Sequence, residues 1–426
     1  MERQDIVYKK LVAILHEELI PAMGCTEPVA IAYAGALARQ TLGCLPERVE
    51  VIASGNLVKN VKSVVVPNTG GLKGIPAAVA AGIVAGDAGR ELEVIASVPE
   101  ERKPAIAAYL EQTPISVTLA ETGLVLDLTV RVWAGAEQAV VRIAHQHTNV
   151  VYIQKNEQVL KDIPVTCCDT ECGDSDRDFL TLELICDFAD SVDLADVKEL
   201  LDRQISFNMA ICEEGLRGDY GANIGKVIRE RQEDSLRSRC VSYAAAGSDA
   251  RMNGCELPVV VNSGSGNQGI TASVPVVIYA RGCGAPEERL YRALVLSNLT
   301  AIYQKEGIGR LSAYCGAVNA GAAAACGVAY LRGGDFRVIA HTLVNTLAVL
   351  SGMVCDGAKA SCAGKIVMAV EAGFLGYEMF VNGQQFRDGE GIVKKGVDNT
   401  VDNVGRLGRV GMRQADLEIL RMMLGE

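Results

Sequence analysis

The sequence predicts a molecule of the α+β or α/β class, an N-terminal half with a mixed sheet joined to a large all-helical C-terminal part. Three observations lead there. The chain has 426 residues, more than one hydrophobic core usually organises, so two domains are expected. Between residues 49 and 153, short apolar runs of strand length alternate with turn residues and one Ala-rich helical stretch. Beyond residue 180, apolar side chains recur at helical spacing almost to residue 380. Aromatic residues make up only 5% of the chain while glycines number 44. The interior must therefore be filled by Ala, Val, Leu and close backbone approach, which favours thin, tightly packed helices.

Taken in order, residues 6–20 place Val7, Leu11, Ile14, Leu15 and Leu19 on one helical stripe that Pro21 ends. A second, Ala-rich helix follows the turn at 24–28, with Pro28 suited to a first helical position, and runs to about Leu42. Residues 1–44 are thus expected to form a helical hairpin that packs on the helical part. Residues 45–168 form the α/β unit. It has strands at 49–53 and 92–95 around a helix at 75–84, then alternating segments at 115–119, 124–133, 139–144 and 150–153 that complete an antiparallel sheet. The polar run 169–178 reads as a linker. Residues 179–426 form the helical domain, with helices at 180–189, 194–214 and 224–237 before a Gly-rich segment at 262–269.

Composition excludes several functions. A net charge of -11 repels nucleic acid and anionic membrane, and no basic patch offsets it. Neither is expected as a partner; a second copy of the chain, in a homodimer, is. The N-terminus opens with Glu2, Arg3 and Asp5 and lacks the basic start and apolar core of a secretory leader, which predicts a cytoplasmic protein. Stretches 317–331 and 338–354 approach membrane length but are interrupted by Asn319, His341 and Asn345, which suits buried helices rather than spans.

Fourteen cysteines in a cytoplasmic chain point away from disulfides, because that compartment keeps thiols reduced. Cys44, Cys186, Cys212, Cys240, Cys255, Cys283 and Cys326 read as small buried hydrophobes. Cys167, Cys168 and Cys172 form a CCxxxC group with no fourth ligand nearby. Cys315, Cys355 and Cys362 are set in turn-like contexts, YCG, GMVCDG and SC, where glycine permits sharp turns. The short gap between the last two can wrap a loop around an inorganic cluster, and the long gap can be filled by two packed helices. The absence of CxxC pairs disfavours zinc. Spacing alone leaves a cluster and buried thiols both open.

Eight segments carry more. They are GCTEP at 24–28, SGNLVKN at 54–60, PNTGG at 67–71, HTN at 147–149, SDARM at 248–252, NSGSGNQGI at 262–270, RLSAYCGA at 310–317 and GMVCDGAKASC at 352–362. Through them, in one order and over nearly its whole length, the chain resembles the cysteine desulfidase family, relatives of the iron-sulfur L-serine dehydratases. The resemblance implies a 4Fe-4S cluster held by Cys315, Cys355 and Cys362, with one iron free of a permanent protein ligand and able to act as a Lewis acid. It also implies an oxygen-sensitive carbon-sulfur lyase that eliminates sulfide from L-cysteine to give pyruvate and ammonia. L-Serine dehydration on the same cluster, and a cluster protein that binds cysteine or sulfur without turnover, stay open as alternatives.

The same segments supply the candidate residues. Cys25 precedes a helix N-terminus whose dipole favours the thiolate; guarding the open iron, relaying a proton and accepting sulfur are its candidate roles. Asn56, Lys59 and Asn60, followed by Asn68 and Thr69, form polar loops between strand segments, where binding groups commonly sit; Lys59 is also, with Cys25 and His147, a candidate for the base that takes the substrate α-proton. His147, with Thr148 and Asn149, is the histidine suited to acid-base work. Residues 264–269 satisfy GxGxxG after a strand-like run, but residues 286–288 start a helix where a dinucleotide site needs a second strand. Asn262, Ser263, Ser265 and Asn267 are read instead as a cradle for a substrate carboxylate. For Cys25 to reach the cluster, the site must lie between the two parts.

Overall fold

The computed structural model describes residues 1–24, 26–165, 177–309 and 312–425. Cys25, the CCxxxC cysteines, most of the expected linker, and Arg310 and Leu311 lie outside the described residues. Two large hydrophobic cores organise the rest, one around a sheet and one among helices.

Helix α1 (Ile6–Glu18) buries Tyr8, Leu11, Ile14 and Leu15 in the helical core. Strand β1 (Pro21–Met23) follows, and helix α2 (Thr26–Leu42) buries Val29, Ile31, Tyr33 and Leu42 in the sheet core. The expected hairpin is therefore divided between the cores. The cause is the composition of α2: small residues on every side let it be enclosed all round, and a Cβ on Gly35 would come within 2.8 Å of the Val79 carbonyl oxygen. Helix α2 also starts at Thr26, so Pro28 falls inside the first turn, where its missing N–H leaves no bond unmade.

Strand β2 (Arg48–Ala53), helix α3 (Gly55–Val61), helix α4 (Gly74–Ala85) and helix α5 (Lys103–Gln112) come next. They precede β3 (Ile115–Leu119), β4 (Asp127–Ala134), β5 (Glu137–Ala144), β6 (Val150–Lys155) and β7 (Gln158–Asp162). The sheet order is β3-β2-β4-β5-β6-β7. Only the β2–β3 pair is parallel, with Val51 opposite Val117 on one side and Val130 on the other. Alternation sends Val49, Val51, Leu128, Val130, Val141 and Ile143 to the core under α2 and α4. Residues 92–95, expected as a strand, instead end a 3-10 turn (Ala88–Glu93), with Val94 and Ile95 buried as loop residues. A short apolar run is equally at home in either setting. The polar cluster 56–60, expected in a loop, lies on helix α3.

The helical part comprises α6 (Leu182–Ser191), α7 (Lys198–Arg217), α8 (Ile224–Arg231), α9 (Leu236–Met252), the short β8 (Pro258–Val260), α10 (Gly266–Gly282), α11 (Glu287–Ile308), α12 (Gly316–Leu331), α13 (Phe336–Leu350), α14 (Cys362–Val381), α15 (Val397–Arg406) and α16 (Arg413–Leu424). Helices α10, α11 and α12 meet through Ala272, Ala301, Ala320 and Ala323, where only small side chains fit. Two features tie the parts together. Strand β1 pairs antiparallel with β8, Ala22 opposite Val259, and α16 returns to α3, placing Leu420 against the sheet core. No described helix is long and apolar enough to cross a membrane.

Candidate active site

One small cavity, about 120 Å³, collects the chemistry-bearing residues. Its first wall is built from cysteines. Tyr314 and Val354 form an isolated antiparallel bridge, with the Cys315 N–H donating to the Met353 carbonyl at 2.9 Å and the Cys355 N–H to the Ala313 carbonyl at 2.6 Å. This ladder holds Cys315 and Cys355 side by side although helices α12 and α13 lie between them in the chain. Cys315 caps the N-terminus of α12 and Cys362 opens α14, so two of the three sulfurs sit where helix dipoles favour negative charge. All three line the cavity.

The electrostatics reflect that proximity. Burial, then the charge of Cys355 and more weakly of Cys362, pushes the Cys315 thiol up to about 12. Burial raises Cys362 too, against the Lys359 amide and ammonium that lower it. Burial would lower Lys365, yet Asp356, Cys315 and Cys355 together raise it. Lys365 and Lys359 both pair with Asp356. The thiols thus interact with one another and lie beside two ammonium groups, which suits a site that must hold several negative sulfurs at once.

The second wall comes from α2 and α3. Thr26, Glu27, Asn56, Lys59 and Asn60 line it. The Glu27 carboxylate accepts from Asn60 Nδ2 at 3.0 Å and from the Thr26 hydroxyl at 3.1 Å. Lys59, only 2% exposed, makes an ion pair with Asp416 of α16, and Lys62 donates to the Met423 carbonyl. Helix α16 therefore clasps the helix that carries Lys59. The Gly-rich turn and the ends of α9 and α11 complete the lining with Arg251, Ser265, Asn267, Gln268 and Lys305. The Thr26 hydroxyl donates across to the Gly264 carbonyl at 3.2 Å.

Of the residues singled out from sequence, the structure brings together Asn56, Lys59, Asn60, Ser265, Asn267, Cys315, Cys355 and Cys362. Cys25 lies outside the described residues, between Gly24 and the cavity residue Thr26. The others do not line the cavity. Asn262 is fully buried and donates to the Asn298 carbonyl at 3.2 Å, and Ser263 donates to Asn262 Oδ1 at 3.0 Å, so both brace the turn rather than present groups to a ligand. Asn68 donates to the Ile95 carbonyl at 2.8 Å and Thr69 to the Val66 carbonyl at 2.7 Å, shaping the loop before α4. His147, Thr148 and Asn149 sit in the β5–β6 connection, where Asn149 Nδ2 donates to the Ala144 carbonyl at 3.0 Å. Sequence reasoning missed Glu27, Arg251 and Gln268, although each lies inside a quoted motif, and missed Lys305 and Asp416, which read as ordinary charges on helices.

With that geometry in place, similarity to known proteins decides the family. A model of the serine dehydratase alpha chain matches residues 63–421. The chain belongs to the serine dehydratase alpha-chain family. Among its relatives, a UPF0597 protein of Desulfitobacterium hafniense is 53% identical over 429 residues, covering 100% of this chain and 99% of the relative. UPF0597 proteins of Lachnoclostridium phytofermentans and Treponema denticola are 45% and 43% identical, each across 98% of this chain and 100% and 98% of their own. The serine dehydratase family is one of lyases known for iron-sulfur clusters.

The cysteine wall fits such a group in kind. Among the described residues, no set of three His, Cys, Asp or Glu is drawn together tightly enough to hold a single metal ion. A lone zinc ion would need its sulfurs about 4 Å apart. Three thiols lining one cavity, two of them at helix N-termini, supply the donor chemistry that an iron-sulfur group takes.

Proposed function

We propose that this member of the serine dehydratase alpha-chain family is a 4Fe-4S lyase that removes sulfide from L-cysteine, yielding pyruvate and ammonia. The observation that carries the reading is the convergence of Cys315, Cys355 and Cys362 on a cavity whose other lining is cationic and amide-bearing. These three cysteines would hold the cluster. When bound, it would supply one iron free of a protein ligand, a Lewis acid that draws charge from a departing β-substituent.

The chain's own residues do the rest. Arg251 and Lys305 bring positive charge to the cavity and suit a carboxylate, while Asn56 adds an amide. Glu27, fixed by Asn60 and Thr26, and Lys59, fixed by Asp416, are the described cavity groups able to exchange a proton with the substrate Cα. As the Cα–H bond breaks, its electron pair forms the Cα=Cβ bond and the Cβ–S pair leaves with sulfur. The aminoacrylate released tautomerises and takes up water to give pyruvate and ammonia, with no net redox change.

The family description favours a second reading, in which L-serine loses hydroxide in the same cavity. Anaerobically reconstituted protein, assayed side by side for pyruvate from both amino acids and for sulfide from L-cysteine, separates the two. The expected result is kcat/KM for L-cysteine at least about tenfold above that for L-serine, a difference of ~1.4 kcal/mol in transition-state binding. The reverse ratio assigns serine dehydration. Binding without pyruvate from either removes the lyase reading.

A further inference from the structure

Two cavity residues stand apart from the cysteines and from Lys59. Arg251, at the end of α9, is 3% exposed, and Gln268, in the first turn of α10, is 5% exposed. Both line the cavity. Arg251 donates from Nη1 to Asn267 Oδ1 at 3.3 Å, but its Nε–H has no hydrogen-bond partner among the described residues, and neither has Gln268 Oε1. Leaving a buried polar group unmade is costly, more so when the group is charged. A cavity that keeps both a cationic donor and a neutral acceptor unmet is shaped for a ligand that meets both.

Glycine makes room for each. A Cβ on Gly266 would overlap the Arg251 guanidinium, and a Cβ on Gly316, next to Cys315, would come within 2.5 Å of Gln268 Cδ. The glycines of the GSGNQG and YCGA segments therefore admit these two side chains to the cavity.

We propose that Arg251 and Gln268 together recognise the zwitterionic head of an α-amino acid, Arg251 taking the carboxylate and Gln268 Oε1 accepting from the α-ammonium. The assignment rests on the reading of the cavity as an amino-acid site and names its recognition groups. Other candidates are engaged or elsewhere: Asn262 and Ser263 brace their own turn, Lys59 is held by Asp416, and Asn319, whose amide atoms are also buried and unpartnered, does not line the cavity. A simple carboxylate would leave Gln268 Oε1 unmet, and a simple amine would leave Arg251 unmet. A ligand that carries both groups satisfies the pair, as an α-amino acid does.

The test is calorimetric, on anaerobically prepared holoprotein, with three probes. L-Alanine carries the head group without a leaving group, propionate lacks the amine, and ethylamine lacks the carboxylate. Wild type should bind L-alanine more tightly than either part-ligand. Arg251→Met should weaken L-alanine and propionate about 10- to 100-fold, the value of a hydrogen bond to a charged group, and leave ethylamine unchanged. Gln268→Leu should weaken L-alanine and ethylamine and leave propionate unchanged. If either variant melts early, Gln268→Glu still decides, because tighter ethylamine with weaker propionate is a crossed change that misfolding cannot produce. Equal loss of both part-ligands in one folded variant, or no L-alanine binding by wild type, overturns the proposal. The crossed pattern without turnover of L-cysteine or L-serine removes the lyase reading and leaves head-group recognition standing. Turnover with wild-type KM in both variants does the reverse.

Discussion

Two hollows among the described residues differ sharply in character. The larger, about 670 Å³, lies on the outer face of the sheet and is lined by Thr129, Arg131, Trp133, Arg142 and Tyr152 among others. Its two arginines are matched at home: Arg142 grips Asp127 through two hydrogen bonds of 2.8 Å and Arg131 pairs with Glu50, while neighbouring Arg48 stacks on Trp133 at 3.9 Å. The smaller, at about 120 Å³, gathers three thiols and two buried polar side chains with unmet atoms. Size would choose the first; chemistry chooses the second. Unmet buried polar atoms occur elsewhere too, at Asn319 and Asp249 for example. In the smaller hollow, though, a cationic donor and a neutral acceptor lie in the same lining as the thiols, and that combination marks it as the place for a ligand.

The largest effect expected from that contrast is on the cysteine wall. Cys355→Ala should reduce the iron and acid-labile sulfide of anaerobic protein to a small fraction of wild type and drop turnover to background. Full iron content in that variant would falsify the cluster assignment. Next comes the clasp from α16. Lys59→Met should lower kcat/KM about 10- to 100-fold through loss of a buried charge facing substrate, with Asp416→Asn giving a smaller loss of the same kind. Steady-state kinetics on reconstituted protein read both, and unchanged kinetics would move Lys59 out of the reaction.

In the larger hollow the expectation inverts. Arg142→Ala leaves Asp127, which is 2% exposed, without its bidentate partner. It should cost about 2 kcal/mol of stability, less than a fully buried pair because Arg142 is part-exposed. Urea titration measures this, and turnover should stay at wild type. Loss of activity at full stability would give the sheet face a functional role and break the comparison.

The smallest effect concerns one of the buried unmet groups that lie outside both hollows. Asp249 is 1% exposed and buries an unmet Oδ1, yet lines neither hollow. Burial lifts its carboxyl to about 6, against backbone hydrogen bonds from Gly225 and Ile224. The folded state thus holds this proton more tightly than the unfolded one. Stability is full below the ordinary carboxylate range and falls as pH climbs through about 4 to 6. Asp249→Asn keeps an acceptor for the Gly225 N–H and should flatten that slope, by about 1–2 kcal/mol, in denaturation series at pH 4.5 and 7. A wild-type slope in the variant would show that the carboxyl titrates normally.

Much of this was legible in the sequence, for reasons that differ by element. The strands at 49–53 and 139–144 and the helices at 75–84 and 317–331 carry long, unbroken periodicity and came through. The 92–95 segment did not, because Leu92, Val94 and Ile95 are too short an apolar run to tell a strand from a buried loop. The division of the N-terminal helices was hidden because enclosure of α2 depends on partners far along the chain. At the site, the three cysteines were found through their motifs. His147 and Asn68 also lay in motifs yet are not in the cavity lining formed by the described residues, since a motif does not reveal which way a side chain is employed. Asp416 gave no signal, because an acidic residue on a C-terminal amphipathic helix looks like solvent-facing decoration until its lysine is in view.

The pairing of β1 with β8, and the Thr26 to Gly264 bond that spans 238 residues of chain, carry one more consequence. The cysteine wall can assemble from neighbouring segments, whereas the opposing wall closes only when distant stretches meet, a slow event for which loop entropy must be overcome first. An intermediate with its thiols gathered but its pocket unsealed would leave any iron open to air. Loading metal after refolding is complete, rather than during it, should therefore give the higher yield of intact centres.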